Sequence, residues 1–387
     1  MTPLEERLLE RIRAGGPMPF AAYMSLALYD PQHGYYARDS RTGWSGDFVT
    51  SAELDPAFGA LWARALEQVW DAAGRPDPFE IIEVGPGEGG FATAVLGSLA
   101  GDLEETVTYR LVERMVPARQ RQRDRFDSDP RVRWSESITE LDKVDAGVLF
   151  ANEILDNLPV HLVERRGGEL LEVCVSASGA ELGEVLLPLS NPELERFFER
   201  HGADVPDGHR AEVPLATESF CGRASRAIER GAIVFVDYGA TASELVTRPG
   251  GTLVCYSQSG TDDAVLDRPG EKDITAHANW SAVTRSLREA GFEVARPRPQ
   301  RDVLRALGLG ALDDALAREH DAAIAEKRGA DAVRSLSRRH ALRALTEESG
   351  LGGLEVVVGW RGIEPPRFVG YEEGPAPSQK AGPSQKR

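Results

Sequence analysis

The densest group of glycines in the sequence lies at residues 83–90, which read EVGPGEGG. It follows an apolar run at residues 79–84 that is typical of a strand, and it precedes a helical pattern at residues 90–99. Glycine has no Cβ atom, so the chain can turn tightly here and a ligand can approach the backbone. The first N–H groups of the following helix are free to bind it. The sequence therefore predicts a ligand-binding loop at this position.

This loop fits two cofactor patterns. Gly85, Gly87 and Gly90 match the GxGxxG of dinucleotide-binding loops. The acidic-x-GxGxG loop of S-adenosyl-L-methionine enzymes is matched by Glu83, Gly85, Gly87 and Gly89. The acid favours the second pattern, because a carboxylate can receive the cationic amino group of methionine and would repel a pyrophosphate. Pro86 also stiffens the loop. We therefore expect S-adenosyl-L-methionine as cofactor, with S-adenosyl-L-homocysteine as product. NAD and a glycine turn without a ligand are the alternatives.

Two further positions are candidates for binding the donor. Glu113 ends the second predicted strand, where a carboxylate can accept both ribose hydroxyls; a surface glutamate is the alternative. Thr50 and Ser51 precede a helical pattern at residues 55–73, and from a lid they could bind the cofactor carboxylate. Equally, Ser51 could cap a helix.

The acceptor side is expected at residues 151–159, which read ANEILDNLP and follow a fourth apolar strand. Glu153 and Asp156 are three residues apart, so one helical turn would place both on the same face. Two such carboxylates could hold a guanidinium while one of its nitrogens is aimed at the methyl group. Asn152 completes the predicted catalytic set. The alternative is that Asn152 and Asp156 only cap the loop. Asp237 and Tyr238, at the end of the fifth strand, are weaker candidates.

Strands and helices alternate between residues 79 and 238, which predicts a parallel sheet with ligands at its carboxyl edge. A hairpin is expected at residues 161–166 and 170–176, joined by Gly167 and Gly168. Residues 252–256 and 354–360 are possible further strands, and residues 301–349 are mostly helical in pattern. The expected fold class is α/β, a Rossmann-like class I methyltransferase with a doubly wound, mostly parallel sheet and helical and hairpin insertions.

Four segments are predicted. Residues 1–75 form an N-terminal helical lid, and residues 76–260 form the donor-binding core with an insertion at about 160–215. Residues 261–370 hold a helical insertion and the closing strand. The last segment, residues 371–387, is rich in Pro, Gly, Ser and Gln and is expected to be a disordered tail.

Composition restricts the partners. The net charge of −17 argues against a nucleic-acid surface and suits a basic protein, or only solubility. The arginine-rich run at residues 119–125 is interpreted as a solvated helix face. Three dispersed cysteines indicate neither disulfides nor a zinc site, so we expect a cytoplasmic protein without a metal. No apolar run approaches the length of a membrane helix. A homodimer is a further possibility.

Taken in order, several motifs resemble the MidA-like family, which includes the mitochondrial complex I assembly factor that methylates an arginine of a partner subunit. The resemblance runs from about residue 17 to about residue 310. Its motifs are GYY (34–36), GDFVTSAEL (46–54), EVGPGEG (83–89), YRLVE (109–113), ANEILDNLPV (151–160), VDYG (236–239) and DITAHANW (273–280). The resemblance implies methyl transfer to a protein arginine. It also implies that Gly85, Gly87, Gly89 and Glu113 bind the donor, while Asn152, Glu153 and Asp156 line the acceptor side.

The chain departs from the family pattern at three places. Ile154 and Leu155 replace an aromatic pair, residues 255–259 replace a basic stretch, and residues 354–360 replace the usual closing strand. The change at residues 255–259 keeps open a methyltransferase that acts on a small molecule. Two further alternatives do not rest on these changes: an assembly factor that binds the donor without turnover, and a nicotinamide oxidoreductase.

Overall fold

The computed structural model describes residues 1–37 and 50–370. Two predictions, the first part of the GDFVTSAEL motif and the disordered tail, lie outside these ranges. The helices are α1 (Pro3–Gly15), α2 (Phe20–Tyr29), α3 (Ser51–Leu54), α4 (Ala57–Ala72), α5 (Gly90–Leu96), α6 (Asp102–Thr106), α7 (Val116–Phe126), α8 (Glu193–His201), α9 (Leu215–Ala227), α10 (Ala242–Leu245), α11 (Trp280–Glu289), α12 (Gln300–Ala306), α13 (Leu309–Ala325) and α14 (Gly329–Ala344).

The strands include several short ones that pair over only two or three residues. They are β1 (Met18–Pro19), β2 (Phe79–Val84), β3 (Val107–Val112), β4 (Val132–Ser135), β5 (Val144–Asn152), β6 (His161–Arg166), β7 (Glu169–Ser178), β8 (Glu181–Leu187), β9 (Arg210–Val213), β10 (Ile228–Asp237), β11 (Gly239–Ala240), β12 (Val254–Ser257), β13 (Gly260–Asp262), β14 (Asp273–Thr275), β15 (Ala278–Asn279), β16 (Glu293–Val294), β17 (Arg298–Pro299) and β18 (Glu355–Arg361).

The largest sheet has the strand order β16-β18-β10-β5-β2-β3-β4, and β17 also pairs with β18. The five strands from β10 to β4 are parallel, whereas β18 runs antiparallel to β10, as does β16 to β18. The sheet is therefore parallel except on one side of β10, where it continues with antiparallel pairs. The carboxyl ends of β2, β3 and β5 lie at the same edge. They are followed there by the glycine loop (residues 85–90), by Glu113, and by the turn at residues 153–158, which we call the acceptor turn.

Both faces of this sheet are covered by helices. Alternate residues of a strand point to opposite faces, so Ile81 packs with α4 and α5 in one cluster while Ile82 packs with α9 and α11 in another. Near the centre of the first cluster, the Phe91 and Phe150 rings stack with centroids 4.4 Å apart. Burial on both faces explains why these strands read as continuous apolar runs.

A second sheet is built from the segment between β5 and β10. Its order is β1-β7-β6-β9, with β8 also paired to β7. The predicted hairpin is confirmed: β6 and β7 are antiparallel and are separated by Gly167 and Gly168. The N-terminal segment belongs to this unit, because β1 pairs with β7 and α2 packs against the same strands. By contrast, α4 packs on the large sheet, so the expected division at residue 75 separates a helix from its packing surface. The segment limits stay a prediction.

The two possible further strands have different places. β18 is a strand of the large sheet, near the predicted position. β12 instead lies in a separate three-stranded sheet with β13 and β14, so residues 252–256 do not extend the core. The region at residues 301–349 is helical, and α13 and α14 are in contact with each other. Within the described ranges, no helix is both long and apolar enough to cross a lipid bilayer.

Candidate functional site

A cavity of about 1150 Å³ opens at the carboxyl ends of the parallel strands. This is where α/β sheets bind their ligands. Its walls include the glycine loop, Glu113, the acceptor turn and parts of the three-stranded sheet. The structure therefore brings most of the predicted donor residues and the acceptor residues to one cavity, although Thr50 and Asp156 are 106 positions apart in the sequence. Ser51 and Gly89 are not among the lining residues.

The glycine loop has the backbone shape that its composition predicts. Gly85, Gly87 and Gly89 have φ values of 67°, 52° and 77°, in the left-handed region that side chains disfavour. A Cβ atom on Gly85 would also lie 1.9 Å from Cδ1 of Ile154. The loop is closed by a hydrogen bond from the Gly89 N–H to the Pro86 carbonyl, 2.8 Å long. Gly85, Pro86 and Gly87 line the cavity, which leaves the backbone open to a ligand.

Glu83 lies under this loop and faces the cavity with only 5% of its surface exposed. Its carboxylate accepts a hydrogen bond from the Tyr109 hydroxyl at 2.7 Å. Burial raises the pKa of Glu83 to about 8, and the Tyr109 hydrogen bond opposes this rise. No cation among residues 1–37 and 50–370 pairs with this buried carboxylate, so it is suited to receive a ligand ammonium group.

Glu113 is held at the end of β3 by its own turn. One carboxylate oxygen accepts the Met115 N–H at 2.7 Å, and burial raises the pKa of Glu113. The helix α7 then fixes both loops: Arg119 donates to the Glu113 carbonyl at 2.8 Å, and Gln122 donates to the Gly87 carbonyl at 2.8 Å. Arg119 and Gln122 are buried. The interpretation of the 119–125 run as a solvated face is therefore wrong for these two residues, because their side chains satisfy loop carbonyls.

The lid prediction for Thr50 and Ser51 is only partly matched. Thr50 lines the cavity, but Ser51 is fully buried and its hydroxyl contacts the side-chain amide of Gln300 at 3.0 Å. The Ser51 hydroxyl is therefore not available to the methyl donor in the cavity. Thr50 stands at the N-cap position of α3 without a side-chain capping bond, so the Ser51 cap is also wrong. The Ser51 N–H binds the Glu153 carboxylate at 3.2 Å, which links this segment to the acceptor turn.

The acceptor residues do not form the helical turn that their spacing suggested. Residues 153–158 instead wrap around the buried carboxylate of Asp237, whose Oδ2 accepts the N–H groups of Ile154, Leu155 and Asp156 at 3.2, 2.8 and 3.3 Å. Its Oδ1 accepts the Tyr238 N–H at 2.8 Å. These four N–H groups, all bound to one carboxylate, explain the shape of the turn. Its local sequence could not predict that shape, because Asp237 is on another strand, β10. Glu153 takes a left-handed φ of 53°, a strained conformation for a glutamate.

Glu153 and Asp156 still line the same cavity. Burial raises the pKa of Glu153 to about 7, while hydrogen bonds from Asn152 (2.8 Å) and the Ser51 N–H favour its ionised form. Burial, and then the charges of Asp237, Asp273 and Glu153, raise the pKa of Asp156 well above its usual range. Among the described residues, Oδ1 of Asp156 and Oδ1 of Asn152 are buried without a hydrogen-bond partner. A cationic ligand would relieve the electrostatic repulsion among the carboxylates around Asp156.

Four residues at the site were missed by residue-level reasoning. Tyr29, Tyr36, Asn157 and Asp273 line the cavity beside the acceptor turn. The Tyr36 hydroxyl lies 3.0 Å from Oδ1 of Asn157 and 2.9 Å from Oδ2 of Asp273. Tyr36, Asn157 and Asp273 lie in the GYY, ANEILDNLPV and DITAHANW motifs, whereas Tyr29 lies outside the motifs. In residues 1–37 and 50–370, no cluster of His, Cys, Asp and Glu side chains fits a metal ion.

These features fit S-adenosyl-L-methionine. The glycine backbone is free of Cβ atoms where the cofactor would pass, Glu83 can receive its ammonium group, and Glu113 is available to its ribose. The comparisons agree. Residues 61–298 match the family described as "Putative S-adenosyl-L-methionine-dependent methyltransferase".

Relatives and solved structures extend this match over most of the chain. The mitochondrial protein arginine methyltransferase NDUFAF7 homolog of Drosophila melanogaster is 29% identical over 310 residues, covering 72% of this chain and 69% of its own. The human NDUFAF7 protein, also named a mitochondrial protein arginine methyltransferase, is 27% identical and covers 74% and 69%. A crystal structure from Burkholderia thailandensis, bound to S-adenosyl-homocysteine, is 30% identical, covers 95% and 94%, and has a TM-score of 0.82.

These matches confirm the resemblance inferred from the motifs, and they confirm the α/β fold of a methyltransferase. The chain therefore belongs to this family of methyltransferases, and S-adenosyl-L-methionine is its cofactor.

Proposed function

We propose that this enzyme transfers the methyl group to an arginine nitrogen of a partner protein. The observation that carries the proposal is that Glu153 and Asp156 lie in the same cavity as the glycine loop, and that Oδ1 of Asp156 lacks a partner among the described residues. A guanidinium is a planar cation with five donors, matched to paired carboxylates. The arginine methyltransferase names of the relatives support the same acceptor.

In this proposal the donor lies along the carboxyl edge of a doubly wound, class I sheet. Its amino group is bound by Glu83 and its ribose by Glu113, and Thr50 contacts its methionine end. The backbone of Gly85, Pro86 and Gly87 lies against it, and Gly89 supports the loop through its hydrogen bond to the Pro86 carbonyl. When bound, the cofactor supplies an electrophilic methyl group on a sulfonium.

The acceptor residues then bind and orient the guanidinium. Glu153 and Asp156 accept its N–H groups and hold one nitrogen at the attack distance of about 3–3.5 Å from the methyl carbon. Asn152 holds the Glu153 carboxylate by its 2.8 Å hydrogen bond. As the new N–C bond forms and the S–C bond breaks, the nitrogen loses one proton. Glu153, whose pKa is raised to about 7 by burial, accepts that proton near neutral pH.

Three finer predictions belong to the same proposal. The partner is expected to be basic, because the chain carries a net charge of −17. A homodimer is an alternative to a monomer, and the molar mass measured by light scattering distinguishes the two. The compartment stays a prediction: the sequence suggested a cytoplasmic protein, whereas the relatives named above are mitochondrial.

The test uses S-adenosyl-L-methionine with a radiolabelled methyl group and a protein extract from the source cells. We expect label in protein, and methylarginine after acid hydrolysis. Glu153→Gln and Asp156→Asn should each lower transfer at least about 100-fold, the scale of lost acid–base and electrostatic assistance. Glu195→Gln, on the exposed face of α8, is the matched control and should transfer normally.

Other outcomes would contradict the proposal. Full transfer by both acceptor variants would exclude the carboxylate role. Label only in small dialysable products would indicate a small-molecule methyltransferase. Donor binding without any labelled product, in the presence of extract, would indicate a binding or assembly protein.

A further inference from the structure

Two tyrosines of the N-terminal segment reach the acceptor turn. Tyr29 ends α2 and Tyr36 lies seven residues later, and their rings stack with centroids 5.6 Å apart and an interplanar angle of 16°. Both hydroxyls are directed at Asn157: that of Tyr29 donates to its carbonyl at 3.1 Å, and that of Tyr36 lies 3.0 Å from its Oδ1. Two side chains from a distant part of the sequence therefore hold the residue that follows Asp156.

The polar groups around Asn157 are linked to one another by hydrogen bonds. Nδ2 of Asn157 donates to Oδ1 of Asp273 at 2.9 Å and to the Ile274 carbonyl at 3.3 Å. These two acceptors fix the orientation of the amide, so its Oδ1 faces the Tyr36 hydroxyl. That hydroxyl also lies 2.9 Å from Oδ2 of Asp273. Asn157 and Asp273 are both buried, so removing one member leaves a buried polar group without its partner.

The stack also borders the donor side of the cavity. The guanidinium of Arg114 lies over the Tyr29 ring, 5.1 Å from its centroid. Arg114 directly follows Glu113, the residue placed at the donor ribose. The order along this wall is therefore Glu113, Arg114, Tyr29, Tyr36 and Asn157. All five line the cavity.

Asp156 is joined to this arrangement through Asn157, whose backbone hydrogen bond favours the ionised Asp156 carboxylate and so opposes the rise in its pKa. Its main chain is tied by its N–H to Asp237, at 3.3 Å, and by its carbonyl to the Ala276 N–H, at 2.9 Å. Its Oδ1 has no partner among the described residues. A carboxylate that must meet a guanidinium within a few tenths of an ångström needs a rigid support.

We propose that Tyr29 and Tyr36 are positioning residues, which hold Asn157 and thereby aim the Asp156 carboxylate at the acceptor. The proposal rests on the proposed function, in which Asp156 binds the guanidinium. Neither tyrosine needs to touch the reacting atoms.

The test compares Tyr36→Phe and Tyr29→Phe with Tyr23→Phe. Tyr23 is a matched control: it lies on α2 with Tyr29, is fully buried, and donates its hydroxyl to the Val265 carbonyl at 2.6 Å, away from the cavity lining. All three variants lose one hydroxyl and keep the ring. They should therefore lose similar stability in urea titrations, so a difference in transfer reports position rather than folding.

Two measurements decide the outcome. With arginine peptides as acceptors, Tyr36→Phe should lower kcat about tenfold while its affinity for S-adenosyl-L-homocysteine changes less than about twofold, and Tyr23→Phe should keep kcat. In amide hydrogen exchange of the complex with S-adenosyl-L-homocysteine, the N–H groups of Leu155, Asp156 and Leu158 should exchange at least about tenfold faster in Tyr36→Phe than in Tyr23→Phe.

The two failures can be told apart. If the wild-type enzyme methylates arginine and Tyr36→Phe matches Tyr23→Phe in kcat, the positioning role is wrong while the proposed function stands. If the wild type methylates no arginine, the proposed function fails, and the exchange measurement alone decides whether the tyrosines order the turn. Unchanged exchange at residues 155–158 would overturn the proposal in either case.

Discussion

If Glu83 binds the ammonium group as proposed, we expect its buried carboxylate to make binding of the methyl donor dependent on pH. Only its ionised form attracts the ligand ammonium group, and burial raises the pKa of Glu83 to about 8. The ionised fraction is then roughly a tenth at pH 7 and half at pH 8. Because apparent affinity scales with the competent fraction, affinity for S-adenosyl-L-homocysteine should rise about fivefold over this interval. The sign follows from an acid whose pKa is raised: the competent form is lost as the pH falls.

The assay is calorimetric titration of wild type and Glu83→Gln with S-adenosyl-L-homocysteine between pH 6 and pH 8. Glutamine has the same shape and no charge to lose. The ligand amino group titrates identically in both experiments. The dissociation constant of Glu83→Gln divided by that of the wild type therefore reports the effect of Glu83 alone. That ratio should grow about fivefold from pH 7 to pH 8. Wild type should also release close to one proton per ligand at pH 7, measured in buffers of different ionisation enthalpy.

A second variant checks the cause. The Tyr109 hydroxyl donates to Glu83 at 2.7 Å and favours its ionised form. Tyr109→Phe should therefore raise the pKa of Glu83 further and move the rise in affinity to higher pH. If this ratio of dissociation constants stays the same from pH 6 to pH 8, Glu83 does not bind the ammonium group.

Two further predictions concern the loops of the site. Gly85→Ala should abolish binding of S-adenosyl-L-homocysteine and lower the free energy of unfolding by more than the roughly 1–2 kcal/mol of a left-handed alanine, because its Cβ also meets Ile154. Gly202→Ala, at the C-cap of α8, has a left-handed backbone with a φ of 59° and open space, so it reports the left-handed backbone cost alone in thermal unfolding. Asp237→Asn should lower the free energy of unfolding by about 1–3 kcal/mol and abolish transfer, since it removes the charge that binds four N–H groups. Unchanged transfer in that variant, measured with the radiolabelled donor, would show that the turn does not need this carboxylate.

Local patterns were sufficient to predict the central part of the fold. The apolar runs at β2, β3, β5 and β10 are buried on both faces, so their composition alone identifies them. The glycine loop is also local, because Gly85, Gly87 and Gly89 carry their left-handed conformations within five residues. The hairpin of β6 and β7 is a third case, since two adjacent glycines separate its strands.

Features that depend on distant residues could not be predicted in this way. β1 is two residues long and exists only because it pairs with β7, more than 150 positions away. The acceptor turn is shaped by Asp237 rather than by the helical spacing of Glu153 and Asp156. Ser51 looked like a cap or a donor ligand, and its hydroxyl is instead bound by Gln300, 249 positions later. In each case the deciding contact is tertiary, so periodicity and propensity carry no information about it.

The central claim is that donor and acceptor meet in one cavity, with Glu153 and Asp156 holding the acceptor guanidinium. A crystal structure with S-adenosyl-L-homocysteine and an arginine peptide tests it most directly. We expect the ligand amino group at Glu83, the ribose at Glu113, and the guanidinium bound by Glu153 and Asp156, with one nitrogen in line with the sulfur. A guanidinium bound elsewhere, with the sulfur turned away from the acceptor turn, would contradict it.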